Sequence, residues 1–172
     1  TGNIWLGSEY SGIALLSVLN EGATRIYPEN DTLVDRSNTI RMVTCTENGD
    51  IWVGNRRGGL FHYDTNLHLL DKKNYNLSVF DIAEDHERKL WMATRGAGLS
   101  IDGKWYTNQS KDANSLAHNH IYDVFRDFKG RMWIGTFGGG LDLAIPANNS
   151  YIFRHFLAGS YSKKQARTIT AD

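Results

Sequence analysis

The chain has 172 residues, 41% of them hydrophobic and 12% aromatic, and 19 basic side chains balance 19 acidic ones. With no net charge there is no long-range field to draw it to nucleic acid or to an anionic membrane. Cys45 is the single cysteine, which excludes an intrachain disulfide and a cysteine-based metal centre, and no apolar run approaches the roughly 20 residues of a membrane-spanning helix.

The first element in the chain is "GNIWLGSEYSGIALL", starting at Gly2. The chain opens in the middle of this motif, so any targeting segment is expected upstream. Related stretches return as "GDIWVGNRRGGLFHY" from Gly49, "RKLWMATRGAGLSID" from Arg88 and "GRMWIGTFGGGLDL" from Gly130. Their tryptophans, Trp5, Trp52, Trp91 and Trp133, are spaced by 47, 39 and 42 residues. Such spacings lie near the ~40–45 residues of a four-stranded propeller blade and above those of the helical TPR and ankyrin repeats.

Other positions keep step with each tryptophan. Gly7, Gly54, Ala93 and Gly135 follow it by two, while Gly12, Gly59, Gly98 and Gly140 follow by seven, each with Ile or Leu next. Val43, Ile82 and Val124 precede the last three tryptophans by nine residues, and Ile40, Val79 and Ile121 precede them by twelve.

Each unit reads as four short strands. The first strands are "TIRMVTCTE", "LSVFDIAED", "HIYDVFRD" and, at the C-terminus, "RTITAD". Turns such as "ENGD" and "DFKG" follow, where short polar side chains bond the backbone and glycine accepts positive φ. "DHERK" carries Arg88 in place of that glycine, so its turn is expected to differ in detail. The second strand holds the tryptophan and the third starts at the Gly-Leu or Gly-Ile pair. The fourth strands are "TRIYPE", "LHLLDK", "KWYTNQ" and "YIFRHF", with Pro28 in the first of them as an edge strand permits.

"IWVG" and "MWIG" lack polar alternation, as strands covered on both faces do. The tryptophans are therefore expected inside, and the glycine two residues on leaves room for a close neighbour. No segment combines a 3.6-residue apolar period with capping signals, so essentially no helix is expected. The expected fold is an all-β β-propeller of four blades, each of four antiparallel strands. Residues 1–172 then make one propeller fragment of four repeats of about 43 residues.

The pattern "N-x-I-x-x-V-x-x-D-x-x-G-x-x-W-I-G-T-x-x-G-G-L" is nearly complete at Asn119–Leu141. It resembles the two-component regulator propeller repeat. Departures are Ala93 and Arg88 for glycine, Leu77 for Asn, and Asn55 or Ser8 for Thr. The resemblance implies the ligand-sensing, periplasmic region of an inner-membrane hybrid histidine kinase, commonly responsive to oligosaccharides. It also implies seven-bladed propellers, of which this would be a fragment, with a β-sandwich and kinase modules elsewhere in the chain and a homodimer at full length. Since four blades is the low limit for a propeller, the remaining blades are expected partners. WD repeats are disfavoured because no Trp-Asp dipeptide occurs.

No catalytic set is assigned. Asp127-x-x-Gly130-x-x-Trp133 is one residue longer than the sialidase Asp box, itself a fold element, and the arginine cluster, acid and Tyr/Glu pair of a sialidase are not assigned. "HNH" at His118–His120 has two histidines but no matched carboxylate or cysteine, so no metal is expected. "RRGGL" and "FGGGL" lack the strand-to-helix context of a phosphate loop, so no cofactor is expected either. Cys45 lies in a first strand and reads as a core residue. A ligand face is expected where the loops entering first strands meet those joining second to third strands. That places Arg36, Asn38, Asn55, Arg56, Arg57, Arg95, His118, Asn119, His120, Phe137 and Arg167 together. Arginines with an aromatic suit a sugar, above all an acidic one. Two alternatives stand beside this reading, a structural or dimerisation scaffold and, third, a propeller glycosidase.

Overall fold

A computed structural model of the protein describes residues 4–8, 12–17, 22–29, 38–156 and 165–170. They fall into two compact units, Thr1–Val79 and Phe80–Asp172. Every regular element among the described residues is a β-strand.

The first unit holds two antiparallel meanders. One is β1 (Ile4–Gly7), β2 (Ile13–Ser17) and β3 (Gly22–Ile26). The other is β4 (Ile40–Cys45), β5 (Ile51–Asn55), β6 (Gly59–Tyr63) and β7 (Leu69–Asn74), with spatial order following chain order. Strand alternation puts Ile51 and Val53 on one face of the second sheet, where they join Ile13, Phe61 and Tyr63 in a core flanked by Trp5, Ile40 and Val43. Gly7 makes this contact possible. A Cβ there would lie 2.9 Å from Ile40 Cγ2, so a side chain would push the two sheets apart.

The opposite face of the first sheet is different. Ile4 and Leu6 are 49% and 53% exposed, whereas Ile51 and Val53, at the same repeat positions, are 2% and 0% exposed.

The second unit repeats the plan. Its sheets run β8 (Val79–Glu84), β9 (Leu90–Thr94), β10 (Leu99–Ile101), β11 (Lys104–Tyr106), then β12 (Ile121–Arg126), β13 (Met132–Thr136), β14 (Gly140–Ala147), β15 (Ser150–Phe156). Trp91, Ala93, Leu99 and Ile101 of one sheet pack with Ile121, Met132, Ile134, Ala144 and Phe153 of the other. Leu116, from the long connection between the sheets, completes the core.

Turn chemistry explains the order of the strands. Asp85 and Asp127 each accept two backbone N–H groups of their own turn through Oδ1, at 2.9–3.0 Å. Through Oδ2 each accepts the indole N–H six residues on, from Trp91 or Trp133, at 2.9 Å. One carboxylate thus fixes a hairpin and orients the tryptophan beyond it. Partial burial pushes the Asp127 carboxyl up. The hydrogen bonds from Trp133, Arg131 and Lys129 outweigh it and hold it well below the usual carboxylate range. The glycine seven residues after tryptophan is required on two counts at Gly98. Its φ is +90, and a Cβ would meet the Tyr106 carbonyl oxygen at 2.2 Å.

Several expectations need correction. Only Trp91 is fully enclosed, while Trp5, Trp52 and Trp133 are half-buried. The Asp85–Lys89 turn keeps the hydrogen bonds of its relatives, and Arg88 simply adopts φ 67 where glycine would serve. Cys45 is exposed at the end of β4. Pro28 lies beyond β3, whereas Pro146 sits inside β14, past the end of β13, where β15 alone pairs with it and a missing N–H costs little. The described part of "RTITAD" forms no ladder; beside it Gln165 bridges Phe137 and Ala166 N donates to the Thr136 carbonyl at 3.1 Å.

Candidate functional site

In the second unit the connection that enters β12 is tied to both neighbouring hairpins. The Asn119 carbonyl accepts from Gly96 N at 3.2 Å and Gly98 N at 2.9 Å, and its Oδ1 accepts from Asn108 N at 2.6 Å. Arg95 forms an antiparallel bridge with His120. The His120 carbonyl accepts from Phe137 N at 2.9 Å. The bonds from Asn119 and His120 bring the β9–β10 hairpin, the β13–β14 hairpin and residues 118–120 to one place.

A cluster of rings results. Phe137 meets His118 at 6.1 Å, His120 at 5.9 Å and Tyr122 at 5.9 Å between centroids, and remains 38% exposed. His118 Nδ1 accepts from His120 N at 2.9 Å, which leaves Nε2 to carry the hydrogen. Burial, then the neighbouring His120, pushes His118 below the ordinary histidine value. Such a ring stays uncharged near pH 7.

Tyr122 falls at a register shift between Ile121 and Asp123, the mark of a bulge, and stacks on Phe80 at 5.3 Å. Above Tyr122 lies the Arg167 guanidinium, 5.4 Å from the ring centroid. Gln165 Oε1 accepts from both Nε and one terminal nitrogen of Arg167, at 2.9 and 2.8 Å, and so fixes its plane. Beneath these rings Asp81 accepts from Val124 N at 3.0 Å, and Asp123 accepts from Ile169 N. Burial and the hydrogen bond to Asp123 push the Asp81 carboxyl up to about 7.

The structure therefore groups His118, Asn119, His120, Phe137 and Arg167, with Arg95 joined through its backbone. Asn119 acts as a brace, with its oxygens committed to the chain. In the first unit Asn38 and Asn55 are buried. Asn38 Oδ1 accepts from Glu29 N at 3.1 Å, and Asn55 Oδ1 accepts from Arg57 N at 3.0 Å and Gly59 N at 2.7 Å. Both are spent on the chain's own backbone, whereas Arg56 and Arg57 stand exposed on the turn that Asn55 holds. Arg36 lies outside the described residues.

Sequence reasoning missed Phe80, Tyr122, Asp81 and Asp123. The signal was available. Arg41, Phe80 and Tyr122 lie eleven residues before their tryptophans and Arg167 continues that register, while Met42, Asp81 and Asp123 lie ten before. No group of three or more His, Cys, Asp or Glu able to hold a metal ion occurs among the described residues. Among the same residues no helix is long and apolar enough to cross a membrane.

Residues 115–138, which run through the centre of this cluster, match the family model of the two-component regulator propeller. The chain carries that repeat. Over 91% of its length it is similar, at 29% identity and a TM-score of 0.67, to the extracellular domain described as that of a hybrid two-component system, BT3049 of B. thetaiotaomicron. It spans 21% of that domain's chain. Virginiamycin B lyase from Staphylococcus aureus superposes with a TM-score of 0.66 over 91% of this chain and 53% of its own, at 10% identity. That likeness shows the propeller fold alone. So does PorZ, a surface component of the type-IX secretion system of Porphyromonas gingivalis, at 15% identity, 96% and 32% coverage and a TM-score of 0.51. No curated protein matches the chain.

Proposed function

We propose that the chain is a ligand-reading part of the periplasmic sensor region of a hybrid two-component histidine kinase, its four repeats being consecutive blades of a larger propeller. The ligand is an oligosaccharide, held at the ring cluster around Phe137. One observation supports this above the others: the exposed Phe137 ring packs on Tyr122, and over Tyr122 lies a guanidinium already oriented by Gln165. The face of Phe137 offers stacking to the C–H side of a pyranose. Arg167 retains donors for a carboxylate or sulfate group, the geometry in which Arg exceeds Lys. His118, neutral and partly buried, walls the ring without adding charge. In this reading the chain itself is not catalytic, and kinase modules elsewhere in a dimeric protein carry the output.

The test is calorimetric titration of the intact sensor region with neutral, uronate-containing and sulfated oligosaccharides. One class binds, and Phe137→Ala or Arg167→Ala weakens it by about tenfold or more while the melting temperature holds. Binding untouched by both substitutions places the contact elsewhere and leaves these blades as a scaffold.

A further inference from the structure

A second recess lies away from the ring cluster, where the outer strands β11 and β15 and the connection after β11 come together. It is an open groove with a volume of about 270 Å³, near the lower end of the roughly 300–1,000 Å³ typical of ligand sites. Its apolar part is aromatic. Tyr106 meets Phe153 edge-on at 5.6 Å and Tyr151 at 6.1 Å, and Tyr151 packs in turn on Trp91 at 4.8 Å. Trp91 and Phe153 belong to the core of the unit, and the half-buried Tyr106 and Tyr151 are packed against it.

The wall is equally fixed. Ser115 Oγ donates to the carbonyls of Gln109 and Asp112 at 3.1 and 2.8 Å and accepts from Gln109 N at 2.8 Å, closing residues 109–115 on themselves. Phe153 N donates to the Asn114 carbonyl at 2.8 Å, which seats this loop on the edge of β15. What the wall presents is unspent polar capacity. Asp112 uses Oδ1 for Asn114 N, leaving Oδ2. Gln109 uses Nε2 for Thr107, leaving Oε1. The Asn114 side-chain amide bonds to nothing among the described residues. At the far side Ser150 Oγ takes Lys104 and Tyr106, at 3.2 and 3.4 Å.

We infer that this groove is a binding site for a neutral pyranose unit, separate from the ring cluster and independent of what that cluster binds. The free groups pair acceptor oxygens of Asp112 and Gln109 with the amide of Asn114, both donor and acceptor, which suits a ligand rich in hydroxyls. An aromatic floor calls for one flat, C–H-bearing face. Asp112 repels an anion, so an uncharged sugar fits where a uronate does not. The volume admits one ring, so a weak affinity is expected.

Nuclear magnetic resonance titration of the protein with methyl β-glucopyranoside and methyl β-galactopyranoside, against methyl β-glucuronide, tests this. Amides of Gln109, Asn114 and Ile152–Phe153 are expected to shift with at least one neutral glycoside and much less with the glucuronide. Asn114→Ala should weaken binding about fivefold, and Asp112→Asn, which keeps the turn acceptor, should narrow the gap between neutral and acidic sugars. No shift at these amides overturns the inference whatever happens near Phe137. Shifts confined to Phe137 and His120 support the ring-cluster reading and overturn this one. A glucuronide that binds the groove as well as the neutral sugars overturns the assigned class.

Discussion

Trp91 and Trp52 occupy the same repeat position and are held in different ways. Trp91 is wholly enclosed, its indole N–H bonded to Asp85 at 2.9 Å and its ring against Tyr151. Trp52 is half-buried and lies flat on His62, 4.1 Å away with 4° between the planes, while His62 bonds Asp50 at 2.9 Å. Six residues before Trp52 stands Thr46, whose hydroxyl turns to Asn48 and the Asp50 carbonyl. The repeat thus fixes where the indole sits, and the turn residue decides how it is anchored. A carboxylate reaches the indole nitrogen; a threonine does not, and a stacked imidazole takes over.

The comparison breaks most clearly by truncation. Trp91→Ala should cost about 4 kcal/mol, the size expected for an enclosed aromatic that leaves a cavity and an unpaired buried carboxylate oxygen. Trp52→Ala should cost about 1–2 kcal/mol, since solvent already reaches one side. Urea denaturation of both variants measures the gap, and equal costs would show that the Asp85 bond and full burial add nothing.

A second contrast lies one strand inward. The position ten before the tryptophan is Met42 in the first unit, apolar and buried, but Asp81 and Asp123 in the second. Two carboxyl groups in hydrogen-bond contact cannot both ionise cheaply, so Asp81 keeps its proton up to about pH 7. A folded-state value raised above the unfolded one means that the native state binds more protons between about pH 4 and 7. This contribution is complete below pH 4 and is lost as pH rises through 7. Asp81→Asn, which keeps an acceptor for Val124 N and a donor for Asp123, should flatten that slope and stabilise by about 2 kcal/mol at pH 8. Melting curves from pH 5 to 8 decide it: an unchanged slope would mean that the pair is not protonated in the native state.

Much of this was legible in the letters. Tryptophan and glycine in register specify a blade because each answers a steric demand, as Gly7 beside Ile40 and Gly98 beneath Tyr106 show. The Asp-turn-Trp spacing was visible too, although not that one carboxylate serves both turn and indole. The candidate site was legible only in part. His118, His120, Phe137 and Arg167 stand out as loop residues. Tyr122 is hidden inside an apolar strand pattern, and in the fold the shift in register after Ile121 marks it. Asn38 and Asn55 look like ligand-facing polar residues in the sequence and are buried braces in the fold, because backbone N–H groups consume polar side chains as readily as a ligand does. The groove beside β15 draws on residues 44 positions apart, as in Tyr106 and Ser150, and no local pattern announces it.

The smallest expected effect sharpens the comparison between turns. Gly49, Arg88 and Gly130 hold one position, with φ of 89, 67 and 76, and each donates its N–H to the carbonyl three residues back at 2.9–3.1 Å. For Arg88 that backbone costs roughly 1–2 kcal/mol that glycine does not incur. Against it stands an ion pair with Glu84 at 2.6 Å, in which Arg88 is half solvent-exposed, worth well under ~1 kcal/mol. Arg88→Gly should therefore stabilise by about 0.5–1 kcal/mol and raise the melting temperature by roughly 1–3 °C. A fall would mean that Glu84, largely buried at the end of β8, depends on that guanidinium more than the strain disfavours it.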